Sequence, residues 1–72
     1  MKVSYDQEAD AVYIELSDKK PEGVIEVKEG VNLDVTEDGI IVGIELLNAG
    51  KKIPLKSFLS YEFTPDFLNK AT

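Results

Sequence analysis

Hydrophobic and polar residues alternate along most of the first two thirds of the chain, which is the pattern of β-strands with one buried face. Residues 11–17 display it most clearly, because Val12, Ile14 and Leu16 fall on one side of an extended chain. The same alternation predicts further strands over residues 2–5, 24–27, 31–36 and 40–47. The pattern therefore predicts a five-stranded antiparallel β-meander with one apolar face.

The loop between the last two strands sets their register. Asp38-Gly39 is a strong signal for a two-residue hairpin loop, because both central residues of such a turn need positive φ. This loop sets apolar residues opposite one another, in the pairs Val35–Val42, Leu33–Ile44 and Val31–Leu46. A three-residue loop would instead place Val31 opposite Glu45, since a slip of one residue turns every side chain over.

The preceding loop, Lys28-Glu29-Gly30, is predicted to have three residues, with Gly30 in the left-handed conformation. This length pairs Val27 with Val31 and Ile25 with Leu33, all of them apolar. Gly43 differs from the other glycines because it lies inside a predicted strand, where glycine marks a bulge or a close approach.

The C-terminal third is the only part of the chain available to cover the apolar face. Helical spacing appears at Leu55, Phe58, Leu59 and Glu62, with Pro54 as a suitable first residue. Thr64-Pro65 predicts a second helix start, with Thr64 as the N-cap. Phe58, Phe63, Phe67 and Leu68 would supply the apolar bulk. We therefore expect an α+β fold with the helical segment packed on one face, in a single domain, 1–72, divided into the meander (1–50) and a helical tail (51–72).

The second face of the predicted sheet is less polar than a solvated surface requires. Four apolar residues on neighbouring strands, Tyr13, Val24, Ile41 and Leu47, point to that side among acidic residues. Such a group in so short a chain indicates an association surface, so that a homodimer or larger homo-oligomer is favoured over a monomer.

The amino-acid composition excludes several classes of function. The 72 residues contain no histidine or cysteine, which removes the disulfide, the zinc–thiolate site and the commonest general base. The net charge is −6, with 12 acids and 4 lysines in residues 1–48 and 2 acids and 4 lysines in residues 49–72. An acidic body disfavours nucleic-acid binding. No apolar run is long enough for a membrane span or a secretory signal, so we expect a cytoplasmic protein.

Two carboxylate patterns are candidates for chemistry. Asp6, Glu8 and Asp10 alternate as at the start of a calcium loop, but the glycine and the final glutamate of that loop are missing. We expect these acids to form the turn between the first two strands. Carboxylates on the second face would suit a hydrolase, but a chain this small offers little room for a pocket that excludes water. These acids are Glu15, Glu26, Asp34 and Glu45. No catalytic, metal or cofactor site is therefore assigned, and the chain is predicted not to be an enzyme.

Two long motifs carry a family resemblance. Residues 5–16 read YDQEADAVYIEL, and residues 38–49 read DGIIVGIELLNA. In this order and separation they resemble the domain-of-unknown-function family numbered twenty-two eighty-three, whose members are small prokaryotic proteins. The resemblance covers residues 1–50 and implies no catalytic residues. The family's association with toxin-like neighbours implies an antitoxin-like acidic partner of a basic toxin or nuclease as an alternative role.

The residues and the resemblance together favour a non-enzymatic module that self-associates through Tyr13, Val24, Ile41 and Leu47. The antitoxin-like role is the alternative. A carboxylate-based metal binder or hydrolase comes third.

Overall fold

A computed structural model of the chain describes all 72 residues. Five strands form one antiparallel sheet and short helices follow at the C-terminus, which confirms the predicted α+β class. The strands are β1 (Lys2–Asp6), β2 (Ala11–Glu15), β3 (Gly23–Lys28), β4 (Val31–Val35) and β5 (Ile41–Leu47). The helical segments are α1 (Ala49–Lys52), a 3-10 helix (Leu55–Leu59) and α2 (Pro65–Ala71). None of these helices has the length and apolar character needed to cross a membrane.

The strands are arranged across the sheet in the order β1-β2-β5-β4-β3. The sheet thus consists of the hairpin β1–β2 beside the three-stranded meander β3–β4–β5. A strictly sequential meander would set β2 beside β3, but here β5 and β4 lie between them. The two units meet only where β2 pairs with β5, with Val12 opposite Leu46 and Ile14 opposite Ile44.

The loop between β4 and β5 is longer than predicted. The Thr36 N–H donates to the Ile40 carbonyl (2.9 Å), which leaves three residues in the loop, and of these only Gly39 has positive φ (89°). Asp38 does not adopt the left-handed conformation that the predicted two-residue turn requires, so that part of the prediction is wrong.

The predicted register nevertheless holds over most of the β4–β5 pair, because a β-bulge offsets the longer loop. Leu33 lies opposite Ile44 and Val31 opposite Leu46, as predicted. The bulge lies next to Val35, which pairs with Ile41 and not with Val42. The apolar residues thus remain on one face although the turn differs.

In the β3–β4 hairpin the loop is shorter than predicted, and a β-bulge again restores the predicted register. Gly30 has the predicted left-handed conformation (φ 77°), but Lys28 pairs with Val31, so the loop is one residue shorter than predicted. A bulge at Val27 then restores the predicted pair of Ile25 and Leu33. The predicted pairing of Val27 with Val31 is wrong for this reason.

The C-terminal segment forms helices where sequence predicted them, but it covers little of the sheet. Leu55 begins a 3-10 helix and not an α-helix, whereas Thr64 and Pro65 start α2 as predicted. α1 was not predicted. No residue of α2 is buried, and Phe63, Phe67 and Leu68 are each about half exposed. These three side chains therefore leave about half of their surface open to solvent in the single chain.

Candidate functional site

The register divides the sheet into two faces of opposite character. One, the apolar face, carries a row of aliphatic side chains that crosses all five strands: Val3, Ile14, Ile44, Leu33 and Ile25. The other, the polar face, carries the row Ser4, Tyr13, Glu45, Asn32 and Glu26 in the same order of strands. Next to it runs a second row of the polar face, Lys2, Glu15, Gly43, Asp34 and Val24. Each face is a separate candidate for function.

The centre of the polar face is a hydrogen bond that spans β5. The Tyr13 hydroxyl on β2 donates to Asp34 Oδ2 on β4 over 2.7 Å, so the ring must lie across the strand between them. Gly43 makes this possible, since a Cβ atom there would lie 1.9 Å from the Tyr13 hydroxyl oxygen. The mid-strand glycine predicted to mark a bulge or close approach thus makes room for a tyrosine ring.

The hydrogen bond to Asp34 is the largest of the effects that suppress the ionisation of Tyr13. The hydrogen bond to Asp34, the loss of solvent and the charges of Asp34, Glu15 and Glu45 together raise the pKa of Tyr13 from 10.0 to about 12. In the same row as Tyr13, Asn32 Nδ2 donates to Glu45 Oε1 over 3.0 Å. Tyr13 is therefore a neutral hydrogen-bond donor at physiological pH. The polar side chains at this centre form hydrogen bonds with one another, Tyr13 with Asp34 and Asn32 with Glu45.

The four residues predicted to form an association face do not form one apolar patch. Tyr13 belongs to the polar centre just described. Ile41 and Leu47 lie at opposite ends of β5, about 20 Å apart at the usual rise of a strand. Val24 lies on the edge strand β3 and is 66% exposed. The three aliphatic residues are thus distributed around a polar centre, the reverse of the apolar core and polar rim of most protein interfaces.

The side chains of Asp6 and Asp10 hold the turn between β1 and β2, and Glu8 takes part through its backbone N–H. Asp6 Oδ1 accepts the N–H groups of Glu8 (3.0 Å) and Ala9 (3.2 Å), as expected of a turn-forming aspartate. Asp10 Oδ1 accepts the Tyr5 hydroxyl (2.8 Å). Nowhere in the chain do three or more carboxylates converge as a metal site requires.

Asp10 also ties this turn to the first residues of α1. Its carboxylate accepts the Gly50 N–H at 3.1 and 3.2 Å, and its carbonyl accepts the Ala49 N–H at 2.8 Å. Asp10 has a φ of 50°, in the left-handed region. The two family-like motifs therefore meet in space at this point, a contact between distant segments that no local pattern could predict.

The apolar face was expected to be covered, and much of it is open. Only Val12, Val42 and Ala49 are buried apolar residues in the whole chain. Toward the β3 edge, Ile25 is 51% exposed and Val27 58%. Sequence reasoning missed this surface because it assigned the C-terminal helices to it.

The comparisons agree with the motifs. The model of a family described as "Protein of unknown function (DUF2283)" matches residues 2–49. A search of curated proteins and a search of solved structures each find no match. The matched residues include all five strands, the Tyr13–Gly43–Asp34 arrangement and the turn held by Asp10. With more than half of its length matched, the chain belongs to the DUF2283 family of proteins of unknown function.

Proposed function

We propose that this protein is a non-enzymatic interaction module that self-associates through its apolar face. The observation that carries the proposal is the accessible surface of the single chain, 5938 Å². A compact monomer of 8.0 kDa exposes about 4,500 Å² by the usual scaling with mass. The excess is about 1,500 Å², whereas each partner in a standard interface buries about 800 Å².

The apolar face fits this role better than the polar face. Its aliphatic row is continuous from β1 to β3. Ile25, at the β3 end of the row, is 51% exposed. Contiguous exposed apolar residues mark sites of protein interaction. A second copy of the chain presents the same row, and a two-fold interface brings identical patches together. The polar face stays exposed in such an assembly. In the alternative, antitoxin-like role, a basic partner would bind the carboxylates of this face.

Val24 and Ile25 provide a matched test, because they are neighbours on β3 and point to opposite faces. We expect wild type to be a dimer or larger in sedimentation or light scattering, Ile25→Lys to be monomeric at the same concentration, and Val24→Lys to remain associated. The charge added and the strand are the same in both variants, so that only the face differs.

Circular dichroism controls for folding in each variant. If Ile25→Lys is unfolded, Ile25→Thr, which keeps a β-branched side chain, takes its place and should weaken association at least tenfold. Loss of association in Val24→Lys but not in Ile25→Lys would assign the interface to the polar face. A wild-type monomer at high concentration would overturn the proposal.

A further inference from the structure

β3 ends the sheet with an open backbone edge. The strand pairs with β4 on one side only, so the N–H and C=O groups that point away from β4 have no hydrogen-bond partner in the chain. All six of its residues are exposed, and Val24, Ile25 and Val27 expose 66%, 51% and 58% of their surface. The strand contains no proline. It therefore has what a further strand needs for pairing.

The opposite edge of the sheet, β1, has a neighbour. Val3 lines a hollow together with Phe58 and Phe63 of the C-terminal segment, and Phe63 stacks on Phe67 of α2 with ring centroids 4.9 Å apart. No residue of β3 lines a hollow with any other segment. The free edge of the sheet is thus β3.

The accessible surface leaves room for more than one interface. The single chain exposes 5938 Å², which is about 1,500 Å² more than a compact monomer of its mass exposes. An interface on the apolar face accounts for about 800 Å² of this excess and leaves about 700 Å² for a second one.

We propose that β3 pairs with β3 of a second copy in antiparallel orientation, so that two five-stranded sheets join into one continuous sheet. This inference goes beyond the association through the apolar face, because it uses the edge of the sheet. The pairing uses residues 23–26, the regular part of the strand, since the bulge at Val27 interrupts the ladder beyond them.

One symmetric register suits the side chains of this strand. Residues directly opposite each other in an antiparallel pair point to the same face. A two-fold axis through Ile25 sets Ile25 opposite its own copy and Val24 opposite Glu26. An axis through Glu26 would set two copies of that carboxylate opposite each other, and an axis through Val24 would set Glu22 opposite Glu26 twice. Like charges in opposed positions destabilise a strand pair, so the axis through Ile25 is favoured.

This register also continues the apolar row described above. The row runs from Val3 on β1 to Ile25 on β3 in one copy, and it continues from Ile25 back to Val3 in the other. A two-fold axis perpendicular to the sheet keeps both apolar faces on the same side. The joined sheet therefore presents a wider apolar face, and two joined sheets that meet through it form a closed tetramer.

The absence of cysteine from the chain permits a direct test by cross-linking. Val24→Cys and Glu26→Cys are prepared as separate full-length variants, refolded together and oxidised, and the disulfides are identified by mass. We expect the mixed disulfide to be the main product, because directly opposite Cβ atoms lie about 5 Å apart, whereas the two copies of residue 24 lie on a diagonal of about 7–8 Å. Sheets that meet only through their apolar faces hold both residues on opposite outer sides of the assembly.

Ser4→Cys with Glu26→Cys is the matched control for the cross-link. Ser4 lies in the same row of the polar face as Glu26, but on the β1 edge. This pair should give several-fold less mixed disulfide. A predominance of disulfides between two copies of residue 24, or between two copies of residue 26, would overturn the register.

Charge at residue 24 gives a second measurement without a cross-link. Val24→Glu places a carboxylate opposite Glu26 of the second copy at two symmetric positions, so light scattering should show a fall in mass from tetramer to dimer. Val24→Lys faces the same carboxylate with the opposite charge and should keep the mass of wild type. The double variant Val24→Glu with Glu26→Lys should regain that mass, and circular dichroism confirms the fold of each protein.

The outcomes separate this inference from the proposed function. If the mixed disulfide does not exceed its control while wild type is a dimer, edge pairing is overturned and association through the apolar face stands. If the mixed disulfide dominates and wild type is only a dimer, the edge is the interface and the apolar-face proposal is overturned. A wild-type monomer at high concentration overturns both.

Discussion

At the scale of the residue, the packing of the polar face depends on Gly43 and Tyr13, which lie in direct contact. Gly43 has no side chain, and Tyr13 occupies the space that a Cβ atom would need. An isolated glycine in a strand already indicates a close approach. The sequence did not predict that the group close to Gly43 is the ring of Tyr13. This contact requires β2 to lie beside β5, and the order of the strands is a property of the whole sheet.

Gly43→Ala should lower the free energy of unfolding by about 2–3 kcal/mol, because the added methyl group displaces the Tyr13 ring and breaks its bond to Asp34. In a Tyr13→Ala background the same change should cost less than about 1 kcal/mol, since the clashing ring is gone. Urea denaturation of wild type, the two single variants and the double variant gives the coupling free energy between residues 13 and 43.

Gly23→Ala is the control for that cycle. Gly23 also lies in a strand, but a Cβ atom there would meet only Val35 Cγ2 at 4.0 Å. The substitution should be close to neutral. Equal losses for Gly43→Ala with and without Tyr13 would contradict the packing that we describe.

The raised pKa of Tyr13 makes a prediction about high pH. The phenol has a pKa of about 12 in the folded chain against an ordinary value of 10.0, so folding favours its protonated form. Its contribution to stability is complete below pH 10 and is lost as the pH rises to about 12. We expect the free energy of unfolding to fall more steeply over this range in wild type than in Tyr13→Phe.

Tyrosinate absorbance isolates the same group. The difference between the titrations of wild type and Tyr13→Phe should have its midpoint near 12, and Asp34→Asn should move it toward 10 because the ionic acceptor is gone. A wild-type difference curve centred near 10 would show that Tyr13 is not bonded as described.

At the scale of the element, strand registers were more predictable than turns. Burial of one face fixes which residues oppose each other, because a slip of one position would expose the whole apolar set. The turn has several solutions, since a bulge can add or remove one residue near it. Leu33 therefore pairs with Ile25 and Ile44 as predicted, although both loop lengths differ from those expected.

The turn between β1 and β2 was predicted to be formed by acids, but its link to α1 was not. Asp10 makes this link through Gly50 and Tyr5, and its backbone is left-handed. Asp10→Ala should lower the free energy of unfolding by about 2 kcal/mol, because it removes an ionised acceptor and places alanine in a strained conformation.

Asp10→Asn is the informative partner variant. Asparagine tolerates the left-handed region and keeps one acceptor oxygen, so we expect a loss of less than about 1 kcal/mol in urea denaturation. If alanine and asparagine destabilise the chain equally, the charge of Asp10 and not its geometry holds the turn.

At the scale of the whole molecule, composition and alternation predicted the class of fold but neither the order of strands nor the position of the tail. Both depend on contacts between segments distant in sequence, whereas periodicity reports only on neighbours. Helical spacing at Phe58 and Leu59 suggested a cover for the apolar face, but spacing does not say which sheet a helix covers.

The single pairing of β2 with β5 also has a consequence for how the chain folds. The hairpin β1–β2 and the meander β3–β4–β5 are each built from contiguous residues, so both contain only short loops. Joining them closes a loop of more than 25 residues between Glu15 and Gly43, which is slow compared with forming a hairpin. We therefore expect two preformed halves to meet last, with Tyr13 and Asp10 as the contacts that lock them together.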